Sequence, residues 1–279
     1  MSGSVNFCLQ NTEYLINGNN DLFTRNHLII GITRVRNESL ILRDTLDHIS
    51  NYVDAIIAYD DASTDQTLDI LINHPKVALV ISNSLWETNI LARITSETRH
   101  RGILLKTARE QLQFQWVLCF DADERYIGDI RSFISGPRAS NCDGVRIRLF
   151  DAYMTDSDHS PYSSNQKLLN FRRFFGPEKR NILMLWKNSP KVYFEGLDAR
   201  EPNVFGRVEI EFYCQHYGKA LSIEHWEETC DYYINHFPFE TYGLKWLNRK
   251  GQAIHTKSDF GRPLFEWGKV LFENAIEIG

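Results

Sequence analysis

Two carboxylates spaced one residue apart follow a run of apolar residues in the sequence. Asp121 and Asp123 come directly after residues 116–120 (WVLCF), which we predict to form a buried strand. Adjacent carboxylates repel each other, and this repulsion raises the pKa of one of them. A hard divalent cation relieves the repulsion, because Mg²⁺ and Mn²⁺ prefer oxygen ligands. The pair therefore predicts a Mn²⁺ or Mg²⁺ site that can neutralise a departing phosphate group.

Two other interpretations of Asp121 and Asp123 have to be weighed. The acids can simply cap a solvated corner between a strand and a turn. An Asp-x-Asp pair also supplies the nucleophile of haloacid-dehalogenase-like phosphatases, where it follows the first strand and continues with Thr or Val. Here the pair follows the fourth predicted strand and continues with Glu124, which disfavours the phosphatase.

A second pair of acids, Asp60 and Asp61, closes the apolar run at residues 54–59 (DAIIAY). A carboxylate at the end of a strand can accept a hydrogen bond from a pyrimidine N3–H or from a ribose hydroxyl. Ser63 and Asp65 follow, and both residue types cap helices. Capping and ligand contact are compatible, because the acidic pair precedes the cap.

Strand-like and helix-like segments alternate along the first half of the chain. Short apolar runs predict strands, and apolar residues at helical spacing predict helices laid on a sheet. The predicted strands are 27–33, 54–59, 76–82 and 116–120, and the predicted helices are 38–50, 67–72 and 95–113. This alternation is typical of an α/β fold with a mostly parallel central sheet and helices on both faces. Because ligands bind beyond the carboxyl ends of such strands, we expect the two acidic pairs to meet at one edge.

The pattern changes after about residue 140. Residues 143–153, 166–175 and 206–217 alternate in polarity, which predicts strands of a mixed or antiparallel region. A helix is expected over residues 222–237, with Ser222 as its cap. The distal half therefore differs in architecture from the first half.

Composition excludes several classes of protein. The 279 residues carry 43% hydrophobic and 24% charged side chains, which excludes wholesale disorder. A net charge of −5 without a basic cluster argues against nucleic-acid binding. The five cysteines are odd in number and lack metal-ligand spacing, which favours a reducing compartment. With neither a signal peptide nor a run of roughly 20 apolar residues, we expect a cytoplasmic protein, with peripheral membrane contact as an open alternative.

Residues 28–126 resemble the nucleotide-binding half of family-2 glycosyltransferases, which have the GT-A fold. Three motifs carry the resemblance, in the same order and at the ends of corresponding strands: 32–38 (ITRVRNE), 60–67 (DDASTDQT) and 116–124 (WVLCFDADE). The resemblance implies a GT-A domain with a C-terminal helical and aromatic extension. We divide the chain into an N-terminal tail (1–26), a nucleotide-sugar-binding half (27–140), an acceptor-binding half (141–220) and a C-terminal helical extension (221–279).

The resemblance also implies roles for individual residues. The donor contacts the segment after the first strand and the acid that ends the second, here Thr33, Arg34, Arg36, Asn37, Glu38, Asp60 and Asp61. Asp121 approaches the ribose or the metal, and Asp123 coordinates the metal. Arg34 and Arg36 depart from the family, in which small or proline-containing residues are common at these positions. The two arginines either hold the diphosphate or lie in a solvated loop.

Weaker resemblances extend into the distal half. Residues 171–175 (FRRFF) match an Arg-Phe element, and residues 214–217 (CQHY) match a His-Tyr element of soluble members. By this resemblance His216 is a third metal ligand or a diphosphate contact. The alternative for His216 is a core histidine on an alternating strand.

Transfer with inversion needs a general base close to the acceptor hydroxyl. In similar enzymes an acid of the distal half provides it, which makes Glu195, Asp198 and Glu201 the candidates. We favour Glu201, because residues 200–202 (REP) best fit a His-Glu element of related sequences, although Arg replaces His. Asp198 is the second choice, and an ordinary surface acid is the alternative for each.

Aromatic side chains crowd the C-terminal part of the chain. They are Trp226, Tyr232, Tyr233, Phe237, Phe239, Tyr242, Trp246, Phe260, Phe265 and Trp267. We interpret most of them as core residues, since a C-terminal helix must bury one face. The alternatives are an acceptor site, because sugars pack on aromatic rings, and a membrane-facing or dimer patch.

The predicted activity is a metal-dependent glycosyl transfer from a UDP-type or GDP-type sugar to a hydroxyl of a glycan acceptor, with inversion. A surface polysaccharide, a lipopolysaccharide or a glycoprotein glycan is the expected acceptor. One alternative is a sugar nucleotidyltransferase, although residues 33–38 lack the glycine-rich loop that cradles a triphosphate. The other is a non-catalytic domain that binds a glycan or a protein partner.

Overall fold

An eleven-stranded sheet forms the centre of the computed structural model, which describes residues 7–278. The strand order is β1-β4-β3-β2-β5-β8-β7-β9-β6, and β10 and β11 add to β8. The strands are β1 Glu13–Asn17, β2 Asn26–Val35, β3 Ala55–Asp61, β4 Val77–Asn83, β5 Gln113–Cys119, β6 Glu124–Ile127, β7 Gly144–Tyr153, β8 Phe174–Lys187, β9 Val208–His216, β10 Phe265–Glu266 and β11 Ile276–Glu277.

Helices cover the sheet and build the C-terminal part of the chain. They are α1 Leu42–Ile49, α2 Thr67–Ile72, α3 Ile90–Gln111, α4 Ile130–Ser135, α5 Pro137–Ser140, α6 Ile223–His236, α7 Leu244–Arg249 and α8 Lys269–Glu273. A 3₁₀ turn at Asn20–Thr24 and a π-helical turn at Phe239–Gly243 complete the regular structure of the described residues.

The four strands β4, β3, β2 and β5 run parallel, as the sequence predicts. Helix α1 buries Leu42, Leu46 and Ile49 against one face of these strands. Helix α3 buries Leu104 and Ala108 against the opposite face. Covering both faces removes the apolar strands from water, which is the main favourable term in folding. The predicted α/β class with a parallel central sheet and helices on both faces is confirmed.

The distal half continues the same sheet with mixed pairing. Strand β8 pairs antiparallel with β5 and β7, and β7 pairs parallel with β9. The strands predicted at 143–153 and 206–217 are therefore confirmed as β7 and β9. The short strand β6, which follows the acidic motif, pairs antiparallel with β9 and was not predicted.

The strand predicted over residues 166–175 is wrong for most of its length. Strand β8 begins only at Phe174, and the preceding residues form a loop. Side-chain hydrogen bonds hold this loop: the Leu168 N–H donates to Asp44 at 2.9 Å, and buried Arg172 donates to the Ala220 carbonyl at 2.7 Å. Apolar and polar residues alternate there because they anchor a loop to the core.

We expected residues 1–26 to form a loose N-terminal tail, and this expectation is wrong for residues 13–24. Strand β1 pairs antiparallel with β4, and the 3₁₀ turn follows it. The buried carboxylate of Glu13 accepts hydrogen bonds from Arg99 and from the Tyr59 hydroxyl, which anchors the strand. Residues 1–6 lie outside the described residues.

The C-terminal extension is only partly helical. Helix α6 begins after Ser222, whose hydroxyl accepts the His225 N–H at 3.1 Å, and this confirms the predicted cap. Beyond α7 the chain returns to the sheet, where β10 and β11 pair with β8. Within residues 7–278, no helix has both the length and the apolar character needed to cross a membrane.

Candidate active site at the sheet edge

The two acidic strand ends lie on either side of β2. Val35 of β2 is in register with Asp60 of β3, and the Phe120 N–H donates to the Ile32 carbonyl at 3.1 Å. Because both neighbours run parallel to β2, Asp60, Asp61 and Asp121 lie at the same edge of the sheet. The sequence predicts this arrangement, because strands of a mostly parallel sheet bring their carboxyl ends to one edge.

A chain of ion pairs joins the two acidic ends. The Asp61 carboxylate lies 3.7 Å from Arg34 Nη2, and Arg34 pairs with Glu97 of α3. Glu97 also pairs with Arg101 one turn later, and Arg101 Nη2 donates to Asp121 Oδ1 at 2.9 Å. Arg34 and Arg101 are thus held between carboxylates on both sides.

Arg200 completes this network from the loop between β8 and β9. It pairs with the second carboxylate oxygen of Asp121 and with Glu124. Burial, together with repulsion from Arg101, lowers the pKa of Arg200 to about 9. Positive charge is therefore crowded at this point. We call Arg34, Glu97, Arg101, Asp121 and Arg200 the arginine chain.

Asp123 lies in a different environment. Its Oδ2 is 3.2 Å from His216 Nε2, while His216 Nδ1 is 2.6 Å from Asp151 Oδ1. Burial opposes the charge on His216, but Asp123 and Asp151 outweigh it and raise the pKa of His216 to about 9. Burial likewise opposes the charge on Asp123, yet His216 lowers the pKa of Asp123. We call Asp123, His216 and Asp151 the histidine cluster.

The histidine cluster fits a divalent cation in part. Asp123 and His216 place a carboxylate beside an imidazole, and Asp151 lies on Nδ1, where a carboxylate orients many metal-bound histidines. The third predicted ligand, Asp121, directs both oxygens to arginines. Among residues 7–278, no three side chains of His, Cys, Asp or Glu gather as a complete metal-binding group. A cation held here needs further oxygens from a bound substrate, as Mg²⁺ commonly does.

A glycine allows the backbone to approach this pair closely. A Cβ atom on Gly218 would lie 2.6 Å from Asp123 Oδ2 and 3.1 Å from His216 Nε2. The space beside Asp123 and His216 is therefore open only while residue 218 lacks a side chain.

The acids at the end of β3 differ in their availability. Asp61 is used within the protein, because its oxygens accept hydrogen bonds from Asn83 at 3.2 Å and Arg93 at 3.0 Å. Asp60 accepts a long bond of 3.4 Å from the Ser63 N–H, and its Oδ1 is buried without a partner. Burial raises the pKa of Asp60. Asp60 is thus the acid with an oxygen left for a ligand.

The predicted donor-binding segment lies at the end of β2 and in the turn that follows. Arg36 donates to the Asp61 carbonyl at 2.6 Å, and its guanidinium stacks 4.0 Å from the Trp86 ring centre. Asn37, with a positive φ of 54°, accepts the Thr64 N–H at 2.8 Å. Arg36 and Asn37 therefore stabilise the turn through contacts within the protein.

Backbone N–H groups of the turn donate to residues near the start of α2: Glu38 N–H to Thr67 Oγ1 at 2.7 Å and Ser39 N–H to Asp65 Oδ2 at 3.1 Å. Burial, with the charges of Asp123 and Asp65, raises the pKa of Glu38 to about 8. Asp65 accepts the Thr67 N–H at 2.9 Å, but the residue at the N-cap of α2 is Gln66, which forms no side-chain cap, so the predicted capping by Ser63 or Asp65 is wrong. Ser63 instead accepts the Asn37 N–H at 3.0 Å.

The three candidate bases have different partners. Glu201 forms an ion pair with Arg146 of β7 at 2.8 Å. Asp198, with a positive φ of 55°, accepts the Tyr242 hydroxyl at 2.7 Å. Glu195 is exposed and lies 3.5 Å from Asn203. The structure therefore separates Asp198 and Glu201, which lie three residues apart in the sequence.

The C-terminal aromatic residues divide into two groups. Trp226 is buried, and Trp267 packs against the core, as expected for most of the cluster. Tyr233 stacks on Trp246 with ring centres 4.6 Å apart, and Tyr242 continues the stack at 6.4 Å. Burial and the charges of neighbouring groups, Asp123 and Asp198 among them, raise the pKa of Tyr233 to about 12. The stack is half-buried, and its Tyr242 hydroxyl contacts Asp198.

Several polar residues of the site were missed from the sequence. They are Arg93, Glu97, Arg101, Asp151 and Arg200. Arg93, Glu97 and Arg101 recur every four residues, which places them on one face of a helix. That spacing is a signal the sequence does contain. Asp151 offers a weaker signal, as an acid near the end of a predicted strand.

No protein-family model matches the chain. Two relatives are uncharacterized proteins of Mycobacterium bovis and Mycobacterium tuberculosis, each 43% identical over 53 residues. The matched segment is 19% of this chain and spans 13% of the length of each relative.

Three solved structures are similar over part of the chain. Glucosyl-3-phosphoglycerate synthase from Mycobacterium tuberculosis, in complex with Mn²⁺, UDP and glucosyl-3-phosphoglycerate, is 22% identical over 45% of this chain and 44% of that one, with a TM-score of 0.29. A mannosyltransferase from Pyrobaculum calidifontis, in complex with GDP-Man and Mn²⁺, is 14% identical over 83% of this chain and 67% of that one, with a TM-score of 0.37. A 4-diphosphocytidyl-2C-methyl-D-erythritol synthase from Anaerococcus prevotii is 17% identical over 49% of this chain and 64% of that one, with a TM-score of 0.30. At these scores the similarity carries no conclusion about the activity of this chain.

Proposed function

We propose that this protein is a GT-A glycosyltransferase that moves a sugar from a nucleoside diphosphate to a hydroxyl of a glycan acceptor, with inversion. The observation that carries the proposal is the meeting of Asp60 and Asp121 at one edge of a parallel sheet. Ligands of such sheets bind beyond the carboxyl ends of the strands. The resemblance of residues 28–126 to family-2 glycosyltransferases supports the same assignment.

Unpaired polar atoms at this edge support a polar ligand. Buried donors and acceptors in native proteins nearly always have partners, so a local group without them needs an explanation. Most of the buried side-chain polar atoms that lack a partner within residues 7–278 belong to this edge: Thr33 Oγ1, Arg34 Nε, Asp60 Oδ1, Trp86 Nε1, Arg93 Nε, Arg101 Nε and Arg200 Nε. A nucleotide offers both the donors and the acceptors that they need.

In this proposal Asp60 binds the nucleoside part of the donor, and the histidine cluster lies at the diphosphate. The free oxygen of Asp60 accepts a hydrogen bond from the nucleobase or the ribose. Asp123 and His216 would hold Mn²⁺ or Mg²⁺, with Asp151 orienting the imidazole. A cation bound there supplies charge neutralisation for the departing diphosphate.

The acceptor site in this proposal lies along the stack of Tyr233, Trp246 and Tyr242. Sugar rings pack their C–H faces on aromatic rings, and this stack is half-buried beside Asp198. We now place Asp198 before Glu201 as the base, because Arg146 holds the Glu201 carboxylate. The acceptor oxygen attacks the anomeric carbon, the bond from that carbon to the diphosphate breaks, and the hydroxyl proton passes to the carboxylate.

A screen of nucleotide sugars tests the proposal. The protein is incubated with UDP-linked and GDP-linked sugars and Mn²⁺ but no acceptor, and the slow release of free sugar and nucleoside diphosphate is measured. We expect hydrolysis of one donor and its loss in EDTA. Failure to bind or hydrolyse any nucleotide sugar would contradict the proposal, and release of pyrophosphate from a nucleoside triphosphate plus a sugar phosphate would show a nucleotidyltransferase instead.

A further inference from the structure

The arginines at the sheet edge share one unsatisfied group. The Nε–H groups of Arg34, Arg93, Arg101 and Arg200 are all buried without an acceptor. Each guanidinium has five donors and no acceptor. The four carboxylates that pair with these arginines, those of Asp61, Glu97, Asp121 and Glu124, leave the Nε–H groups without a partner. The four arginines come from β2, α3 and the loop between β8 and β9. Their convergence leaves four buried N–H donors at this edge without an acceptor.

The arginines differ in how far a ligand can reach them. Side-chain exposure is 17% for Arg34 and 27% for Arg200, but only 1% for Arg101. Arg101 is bound through Glu97 to Arg34 and through Asp121 to Arg200. The buried Arg101 thus fixes the spacing of the two more exposed arginines, Arg34 and Arg200.

Arg36 has other partners. Its Nη1 donates to the carbonyls of Asp61 and Ala62, and its guanidinium lies on Trp86. Arg34, the other arginine that the sequence suggested for a diphosphate, pairs with Asp61 and Glu97 but keeps an Nε–H without an acceptor. Arg200, from a distant part of the chain, lies on the other side of Arg101.

We propose that Arg34 and Arg200, positioned by Arg101, form a diphosphate site that binds without a metal. Guanidinium groups match phosphate oxygens with two parallel hydrogen bonds, and two guanidinium groups match two phosphates. The acceptor oxygens of a diphosphate are the groups that this edge lacks. The assignment of this diphosphate to a nucleotide donor rests on the proposed function, but the anion site itself does not.

The two acids at residues 121 and 123 then have different roles. Asp121 holds the arginines that bind the diphosphate, while Asp123 serves the cation. Affinity for the diphosphate should then survive removal of metal, and only the later departure of the nucleotide should depend on it.

Calorimetric titration of inorganic pyrophosphate in EDTA tests the site. We expect the intact protein to bind, and Arg200→Gln and Arg34→Gln each to weaken binding at least about 10-fold, as loss of a charged hydrogen-bonding partner predicts. Arg138→Gln is the matched control, because Arg138 pairs with Glu209 and Glu211 on an exposed surface. The control should bind like the unaltered protein.

Arg200→Lys keeps the positive charge but removes the two parallel N–H donors of the guanidinium. This variant should bind pyrophosphate more weakly than the unaltered protein and more tightly than Arg200→Gln. It also serves if Arg200→Gln does not fold, which circular dichroism would show. Binding that requires Mn²⁺, or binding by the Arg34 and Arg200 variants equal to that of Arg138→Gln, would overturn the inference.

The two proposals fail separately. Hydrolysis of a nucleotide sugar combined with strictly metal-dependent pyrophosphate binding removes the anion site and leaves the transferase. Pyrophosphate binding in EDTA without turnover or binding of any nucleotide sugar leaves the anion site and removes the transferase.

Discussion

On one side of the sheet edge, Asp121 lies between the guanidinium groups of Arg101 and Arg200; on the other, Asp123 contacts the imidazole of His216. The two acids are separated by one residue, yet two guanidinium groups enclose Asp121 and an imidazole contacts Asp123. Spacing in the sequence identifies such a pair, but the residues packed against each acid decide its chemistry.

The largest effect is expected from removing the acid on the histidine side. Asp123→Ala should lower Mn²⁺-dependent donor hydrolysis by at least about 100-fold, because loss of residues that merely support a ligand already costs 10–100-fold. Pyrophosphate binding in EDTA should stay within about twofold, since the arginine chain is untouched. Release of nucleoside diphosphate in the presence of Mn²⁺ measures the first effect and calorimetry the second. Equal loss of both would show that the two sides act as one site.

The candidate bases allow the second test, with an expected effect of about 100-fold. Asp198→Asn should lower turnover by that amount and leave donor binding unchanged, because the amide cannot accept the acceptor proton. Glu201→Gln is the matched comparison and should have a smaller effect, since Arg146 already holds that carboxylate. Initial rates with saturating donor measure both variants. A larger loss in Glu201→Gln would return the role of base to Glu201.

A smaller effect, on stability, is expected from His48 of the parallel half, whose pKa is lowered whereas that of His216 is raised. Burial and the neighbouring Arg125 lower the pKa of His48 to about 4. The unfolded chain therefore binds a proton below about pH 6.5 that the folded chain does not bind until about pH 4. The free energy of unfolding should fall over this window as the pH is lowered, by up to about 1.4 kcal/mol per pH unit from this group.

Urea denaturation at pH 7 and pH 5 measures this effect of His48. His48→Gln should reduce the difference in unfolding free energy between the two pH values. An unchanged difference would show that other groups govern the acid sensitivity of the fold.

The parallel half could be predicted because its signals are local. Four apolar runs predict strands, and the rule for parallel sheets then brings Asp60 and Asp121 to one edge. Arg101 could not be placed in the same way, because a charged residue in a helix ordinarily faces solvent. Its burial depends on Glu97 and Asp121, and the second of these lies on a different element.

The distal half was harder to predict because its contacts join residues far apart in the chain. Glu201 meets Arg146, and Arg172 meets the carbonyl of Ala220, across separations that no periodic pattern reports. A hydrophobic alternation at residues 166–173 therefore had the appearance of a strand, although tertiary hydrogen bonds hold a loop there.

Strand β8 is hydrogen-bonded both to the parallel half of the sheet and to the C-terminal segment. Its last residues pair with β5, which leads into Asp121, while its first residues pair with β10 and its middle with β11. Detaching the end of the chain would strip hydrogen bonds from the strand that supports the acidic motif. Unfolding of the C-terminal segment and unfolding of the parallel half should thus be coupled, because β8 is hydrogen-bonded to both.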